Sequence, residues 1–193
     1  MDIGLFDLLV KADRHPQVPL AFAVGCALLG ASGWGLAARR GWAQLPAALA
    51  GCGLALALAV TVVRPAGHFP AGGLSLLATA RECVVGDLSL TRTYEKLNVA
   101  MLMPFAFFAT LATRRPAVVA ACCVLLSGCV EFVQGATGGG TCQARDVVHN
   151  TAGGVLVVLL AALLQGLLTR RHRGAGRSGA VSAGRGAGPA SSP

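Results

Sequence analysis

Hydrophobic residues are gathered in five long runs that short polar segments separate. Each run is close to the roughly 20 residues that an α-helix needs to cross about 30 Å of hydrocarbon. Charged residues stand between the runs and are rare inside them. The pattern therefore predicts an all-α, polytopic membrane bundle of about five transmembrane helices, at residues 18–38, 45–63, 97–112, 117–134 and 147–168.

The composition excludes a water-soluble globule. Hydrophobic residues make up 54% of the chain and charged residues only 12%, which leaves too few polar side chains to cover a folded surface. A formal net charge of +8 would suit nucleic acid only if the basic residues shared a folded platform, but they lie in short loops and a tail. We therefore expect a multi-pass protein of the cell membrane, with the lipid bilayer as a partner and no nucleic acid.

The distribution of arginines predicts the orientation of the bundle. If the first, third and fifth helices end in the cytoplasm, that side carries two arginine pairs and five tail arginines, and no acidic residue. Cytoplasmic segments are enriched in Lys and Arg. We therefore expect the N-terminus outside and the C-terminus inside, with the paired arginines Arg39, Arg40, Arg114 and Arg115 on the cytoplasmic side.

Polar side chains are concentrated between the fourth and fifth runs, in residues 127–154. Some stand at the end of the fourth helix and others line one face of the fifth helix, at helical spacing. Because successive helices alternate in direction, these groups reach the same membrane surface as the start of the third helix. The predicted polar cluster is Asn98, Glu131, Gln134, Arg145, Asp146, His149 and Asn150.

A carboxylate inside a membrane span needs a partner, because a charge there costs on the order of 3 kcal/mol at the centre and less near the ends. Arg145 is the natural partner of Glu131, with Asp146 competing for it. Two interpretations stay open. The cluster either joins helix ends through polar contacts worth on the order of 1 kcal/mol each, or it forms a site for a ligand.

Three further residues are predicted to shape the helices. Pro104 lacks a backbone N–H and is expected to kink the third helix. Gly153 and Gly154 are small enough to let the fifth helix approach its neighbours closely.

Cysteine and histidine spacing limits the chemistry. Five of the seven cysteines lie in apolar runs, where a free Cys behaves as a small hydrophobe. Cys83 and Cys142 lie in polar segments on the predicted outer side, and we expect them to form a disulfide. No second histidine stands near His149, so we expect no metal site, and no motif indicates a cofactor.

Three motifs resemble the VanZ-like family. LNVAMLMPFAFF at 97–108 is similar to its Asn-initiated helix with a Pro-containing turn. SGCVEFVQ at 127–134 resembles its E-x-x-Q helix end, and DVVHNTAGG at 146–154 resembles its D-x-x-x-N-x-x-G helix start. The chain departs from the family at Gly140 and Gln143, where an Arg and a further Asp are common.

The resemblance divides the chain and suggests an envelope role. It implies a VanZ-like three-helix region at 97–168, preceded at 1–96 by a flank, two helices and a long outer loop. Residues 169–193 are too poor in large apolar residues to fold and are predicted to be a disordered basic cytoplasmic tail. The family is named for a membrane protein linked to resistance against the lipoglycopeptide teicoplanin.

Three functional hypotheses follow. In the first, the chain is a non-enzymatic protein whose outer polar cluster binds an amphiphilic envelope ligand, either a lipid-linked precursor or a lipoglycopeptide. In the second, it is an intramembrane enzyme in which Glu131 or His149 is the general base and Arg145 steadies an anionic group of a lipid substrate. In the third, Cys83 and Cys142 cycle between redox states, but the sequence has no reactive C-x-x-C pair to favour this.

Overall fold

The structure is a computed structural model that describes residues 16–61, 90, 93–136 and 143–183. Helices account for nearly all of these residues. They are α1 (Gln17–Arg40), α2 (Gln44–Thr61), α3 (Thr93–Met101), α4 (Met103–Thr113), α5 (Pro116–Ala136) and α6 (Ala144–Ala183). One stretch of α1, Cys26–Gly30, is π-helical.

Five helical segments of the described chain are long and apolar enough to cross a membrane, which confirms the predicted number. Helices α3 and α4 together supply the third. The segments are Gln17–Arg40, Gln44–Thr61, Glu95–Thr113, Pro116–Ala136 and Ala144–Arg170.

The third span begins earlier than the hydrophobic pattern predicts. Helix α3 starts at Thr93, so Glu95 belongs to the helix and not to the preceding loop. The span is interrupted at Leu102, whose φ of −89° and ψ of −6° separate α3 from α4. Pro104 lies in the first turn of α4. Because proline has no backbone N–H, it cannot donate a helical hydrogen bond to a carbonyl of the preceding turn. The interruption lies two residues before the proline, and a kink caused by Pro104 stays a prediction.

Small side chains form the core of the bundle. Helix α2 contributes Ala50 and Ala57, which pack with Ala106 and Ala109 of α4 and with Leu102. Large leucines, by contrast, mostly point away from the helix contacts. Lipid tails are as apolar as leucine, so close van der Waals packing between small residues holds membrane helices together. The outward leucines therefore mark the surface that faces lipid.

Helix α6 is central, because it packs against α3, α4 and α5, while α2 packs against α1 and α4. The bundle has two ends of different character. We call one the polar end, where the starts of α3 and α6 meet the ends of α2 and α5. We call the other the arginine end, which carries arginines at the ends of α1 and α4, in the turn before α5, and at the end of the apolar span of α6; they are Arg39, Arg40, Arg114, Arg115 and Arg170.

Helix α6 continues to Ala183, whereas the sequence predicts a disordered tail from Thr169. Extending an existing helix adds one hydrogen bond for each residue fixed and needs no new nucleation, so the helix can continue beyond the end of the apolar run. Residues 1–15 and 184–193 lie outside the described residues. The cytoplasmic position of the tail and the outer position of the N-terminus stay predictions.

Candidate functional site

An ion-paired group joins α3 to the first turn of α6 at the polar end. Arg145 Nη1 lies 3.5 Å from Glu95 Oε1, and Arg145 Nε lies 3.7 Å from Asp146 Oδ1. The Glu95 side chain is only 1% exposed, and those of Arg145 and Asp146 are 15% and 14% exposed. One guanidinium thus serves two carboxylates, and Asp146 also suits the positive end of the α6 dipole.

Glu95 was missed by the sequence-based prediction, which placed it in a polar loop. It lies one helical turn before Asn98, and a carboxylate and an amide at i and i+3 on one face are the signal that could have identified it. Asn98 itself is half-buried on α3. The third span therefore brings two polar groups to this end.

Glu131 is bound by the backbone that leads into α6. The side chain is 3% exposed, and its Oε2 accepts a hydrogen bond from the Gln143 N–H at 3.3 Å. Nearby, Ser127 Oγ donates to the Val147 carbonyl at 3.1 Å. The sequence predicted Arg145 as the partner of Glu131. That guanidinium forms ion pairs with Glu95 and Asp146, and its pairing with Glu131 stays a prediction.

Gln134 extends the polar end to a fourth helix. Its Nε2 donates to the Thr61 carbonyl at 3.1 Å, in the last turn of α2. This long-range contact joins α2 to α5, and so links the N-terminal pair of helices to the rest of the bundle.

His149 and Asn150 lie one turn further along α6 and are buried, at 5% and 1% exposure. Within the described part of the chain, neither Oδ1 nor Nδ2 of Asn150 has a hydrogen-bond partner. A buried amide in that state costs about 1–3 kcal/mol. Asn150 is four residues after Asp146 and so lies on the same face of α6 as the ion-paired group.

Two glycines let α6 approach α3 and α5 beside these residues. A Cβ added to Gly153 would collide with the Val99 carbonyl of α3, and one added to Gly154 would lie 2.9 Å from Cys123 Sγ of α5. Backbone contact at Gly153 fixes the distance between α3 and α6. Gly153 lies about two turns after Arg145, so this close approach keeps the start of α6 beside α3, where Glu95 and Arg145 meet.

The described residues hold no group of three or more His, Cys, Asp or Glu side chains that could bind a metal ion. All five cysteines in the described ranges are free. Cys83 and Cys142, which the sequence predicts to be bonded, lie outside these ranges. Arg145 lies between two carboxylates, so an anionic ligand at this guanidinium would compete with them. Asn150 offers one donor group and one acceptor.

Comparison with known proteins gives one match. A model of the VanZ/LLP1 family matches residues 69–165, which is 97 of the 193 residues. The matched region includes α3, α4 and α5, the membrane-spanning part of α6 as far as Gln165, and the segment before α3. Neither the curated proteins nor the solved structures compared with the chain gave a match.

Proposed function

The chain belongs to the VanZ/LLP1 family, and from that premise we propose that it is an envelope protein whose polar end binds an amphiphilic ligand. The ligand would be a lipid-linked envelope precursor or a lipoglycopeptide. Binding would contribute to resistance against glycopeptide antibiotics. The arginine distribution supports an outward polar end, since cytoplasmic segments are the arginine-rich ones.

Asn150 is the observation that carries this proposal. A protein stable only through tight helix packing gains nothing from a fully buried amide without partners, because burying it costs about 1–3 kcal/mol. A ligand carrying a hydroxyl, amide or phosphate group could satisfy both amide atoms. The free-energy cost of burying the unpaired amide would then be recovered when the ligand binds, and Asn150 would contribute to recognition of the ligand.

The surroundings of Asn150 suit an amphiphile. The ion-paired group of Glu95, Arg145 and Asp146 provides charged partners for a polar head at the membrane surface. On the lipid-facing side of the same helix, Val148 and Leu156 are 47% and 61% exposed. An acyl or polyprenyl chain can lie along this surface while the head reaches the polar end, as expected for a ligand that arrives through the membrane.

An intramembrane enzyme is the alternative. It requires Arg145 to steady an anionic group while Glu131 or His149 takes a proton. Arg145 is instead shared between two carboxylates at 3.5 and 3.7 Å. Binding through Asn150 also needs neighbouring side chains to move, because Asn150 is 1% exposed. We favour the binding role because both polar atoms of this amide lack a hydrogen-bond partner among the described residues.

Replacement of Asn150 by leucine tests the proposal against a purely structural role. Leucine has a similar size and removes the buried amide, so membrane abundance should equal or exceed that of the wild type. Survival of cells challenged with teicoplanin should fall to that of cells lacking the protein. Full survival would refute the binding role, and abundance that fell together with survival would show a structural contact.

Gln165→Leu is the matched control at the other end of the bundle. Gln165 Nε2 donates to the Thr110 and Leu111 carbonyls at 3.3 and 3.0 Å. Removing this amide takes hydrogen bonds from the folded state, so abundance and survival should fall in parallel. Loss of survival without loss of abundance in Asn150→Leu, beside a parallel loss of both in Gln165→Leu, would distinguish a role in ligand recognition from a role in folding stability.

A further inference from the structure

Five exposed arginines lie at the arginine end, and none of them is used by the proposed function. They are at the C-terminal ends of α1 and α4, in the turn before α5, and on α6 beyond Gln165. The whole chain has eight acidic residues, and none stands in the segments that form this end. Within the described ranges the carboxylates are those of Glu95, Glu131 and Asp146, all at the polar end, so none of these balances the positive charge of Arg39, Arg40, Arg114, Arg115 and Arg170.

Hydrogen bonds between elements hold these arginines in one region. The Ala43 N–H donates to the Ala112 carbonyl at 3.4 Å, which joins the turn after α1 to the end of α4. Gln165 Nε2 donates to the Leu111 carbonyl, which joins α6 to the same helix end. Trp42 packs on a small buried cluster of Ala37, Ala47 and Ala112 beneath the turn. These contacts bring the arginine-bearing parts of α1, α4 and α6 together at one end of the bundle.

Arg114 occupies a backbone position that favours glycine. Its φ is +55°, in the left-handed region, where a side chain costs roughly 1 kcal/mol or more. The corresponding position after α1 is Gly41, with φ of +67°. The two helix ends have the same geometry, and only one of them has the residue that the geometry favours. Arginine at position 114 therefore costs stability that glycine would not, which points to a use for its side chain.

We propose that this end is a binding site for the phosphate headgroups of anionic phospholipids, with Arg114 as a central contact. A guanidinium can donate two parallel hydrogen bonds to a phosphate. Because these arginines flank membrane-spanning helices, they lie at the level of the lipid headgroups, so the phosphates they contact are those of lipids. The apolar residues next to them, Leu36 and Val118, are 46% and 55% exposed and are placed to contact acyl chains. This site is independent of the ligand at the polar end.

Tryptophan quenching measures the proposed binding directly. The chain has two tryptophans, Trp34 and Trp42, and both lie near the arginine end. The full-length protein is placed in phosphatidylcholine bilayers that contain either brominated phosphatidylglycerol or brominated phosphatidylcholine at the same mole fraction. We expect stronger quenching by the anionic lipid, and we expect added salt to reduce the difference. Equal quenching by both lipids would overturn the proposal.

Arg114→Gly gives the sharpest variant, since it removes the guanidinium and relieves the left-handed strain. Folding is therefore preserved or improved, while affinity for phosphatidylglycerol should fall about fivefold, equivalent to about 1 kcal/mol per arginine. Combination with Arg115→Gln should lower it about 25-fold. Lys96→Gln removes a cation from the other end and should leave the affinity unchanged.

Two outcomes would contradict the assignment. If both arginine variants keep wild-type affinity, the arginines do not hold the lipid. If millimolar inorganic phosphate displaces brominated phosphatidylglycerol completely, the site recognises free phosphate and not a lipid headgroup. Retained quenching in the presence of phosphate supports the lipid.

Discussion

Removing the guanidinium that links α3 to α6 should destabilise the bundle strongly. The change is Arg145→Gln, which keeps a polar side chain of moderate length but removes the charge between Glu95 and Asp146. At 3.5 and 3.7 Å, each ion pair is worth between about 4 and 5 kcal/mol at an effective dielectric constant of about 20. The desolvation cost of Arg145 itself is also removed, so the net effect is smaller than the sum.

We expect the free energy of unfolding to fall by about 3–5 kcal/mol, the range found when one partner of a buried pair is removed. The loss should come mainly from Glu95, because that side chain is 1% exposed whereas Asp146 is 14% exposed. A double variant, Glu95→Gln with Arg145→Gln, should therefore recover at least about 2 kcal/mol of the loss.

The measurement is a double-mutant cycle on the purified protein, unfolded by dodecyl sulfate in mixed micelles. The cycle compares the wild type, the two single variants and the double variant, and gives the coupling energy between positions 95 and 145. A coupling energy near zero would refute the reasoning, because it would mean that the two side chains contribute independently. A loss below about 1 kcal/mol for Arg145→Gln would contradict the assigned magnitude.

Three other predictions concern packing, orientation and the outer loop. Gly153→Ala should lower the free energy of unfolding by about 1–3 kcal/mol, because the new Cβ meets backbone atoms of α3. Gly166→Ala is the control: its Cβ enters open space, so stability should be unchanged or higher in the same assay. Reporters fused to the C-terminus and within residues 67–94 should lie on opposite sides of the membrane, and the same side for both would contradict the orientation. Cys83 and Cys142 should resist thiol labelling until a reductant is added, and equal labelling without reductant would exclude the disulfide.

The spans could be predicted from the sequence because membrane thickness sets a physical length for an apolar helix. The start of the third span could not. Glu95 looks like a loop residue until its partner is known, and that partner, Arg145, is 50 residues away in the chain. A charged residue enters a membrane helix when tertiary structure supplies an opposite charge, which no local pattern records.

The site was predicted as a set of residues but not as a set of contacts. Helical spacing placed His149 and Asn150 on one polar stretch of α6, and both are buried there. The hydrogen bond from Gln134 to the Thr61 carbonyl of α2 spans 73 positions of sequence and depends on how α2 packs beside the end of α5. Periodicity reports which face of a helix is polar, whereas the choice of partner depends on the crossing of two helices.

Equilibrium binding of a lipoglycopeptide to the purified protein in lipid nanodiscs tests the central claim most directly. The wild type should bind teicoplanin or a polyprenyl-linked precursor saturably, and bind a glycopeptide without an acyl chain more weakly. Asn150→Leu removes two hydrogen bonds to the ligand, each worth about 0.5–1.5 kcal/mol, so the dissociation constant should rise about fivefold to 150-fold with no loss of folding stability. The account would be contradicted if neither ligand bound saturably, or if Asn150→Leu bound with wild-type affinity.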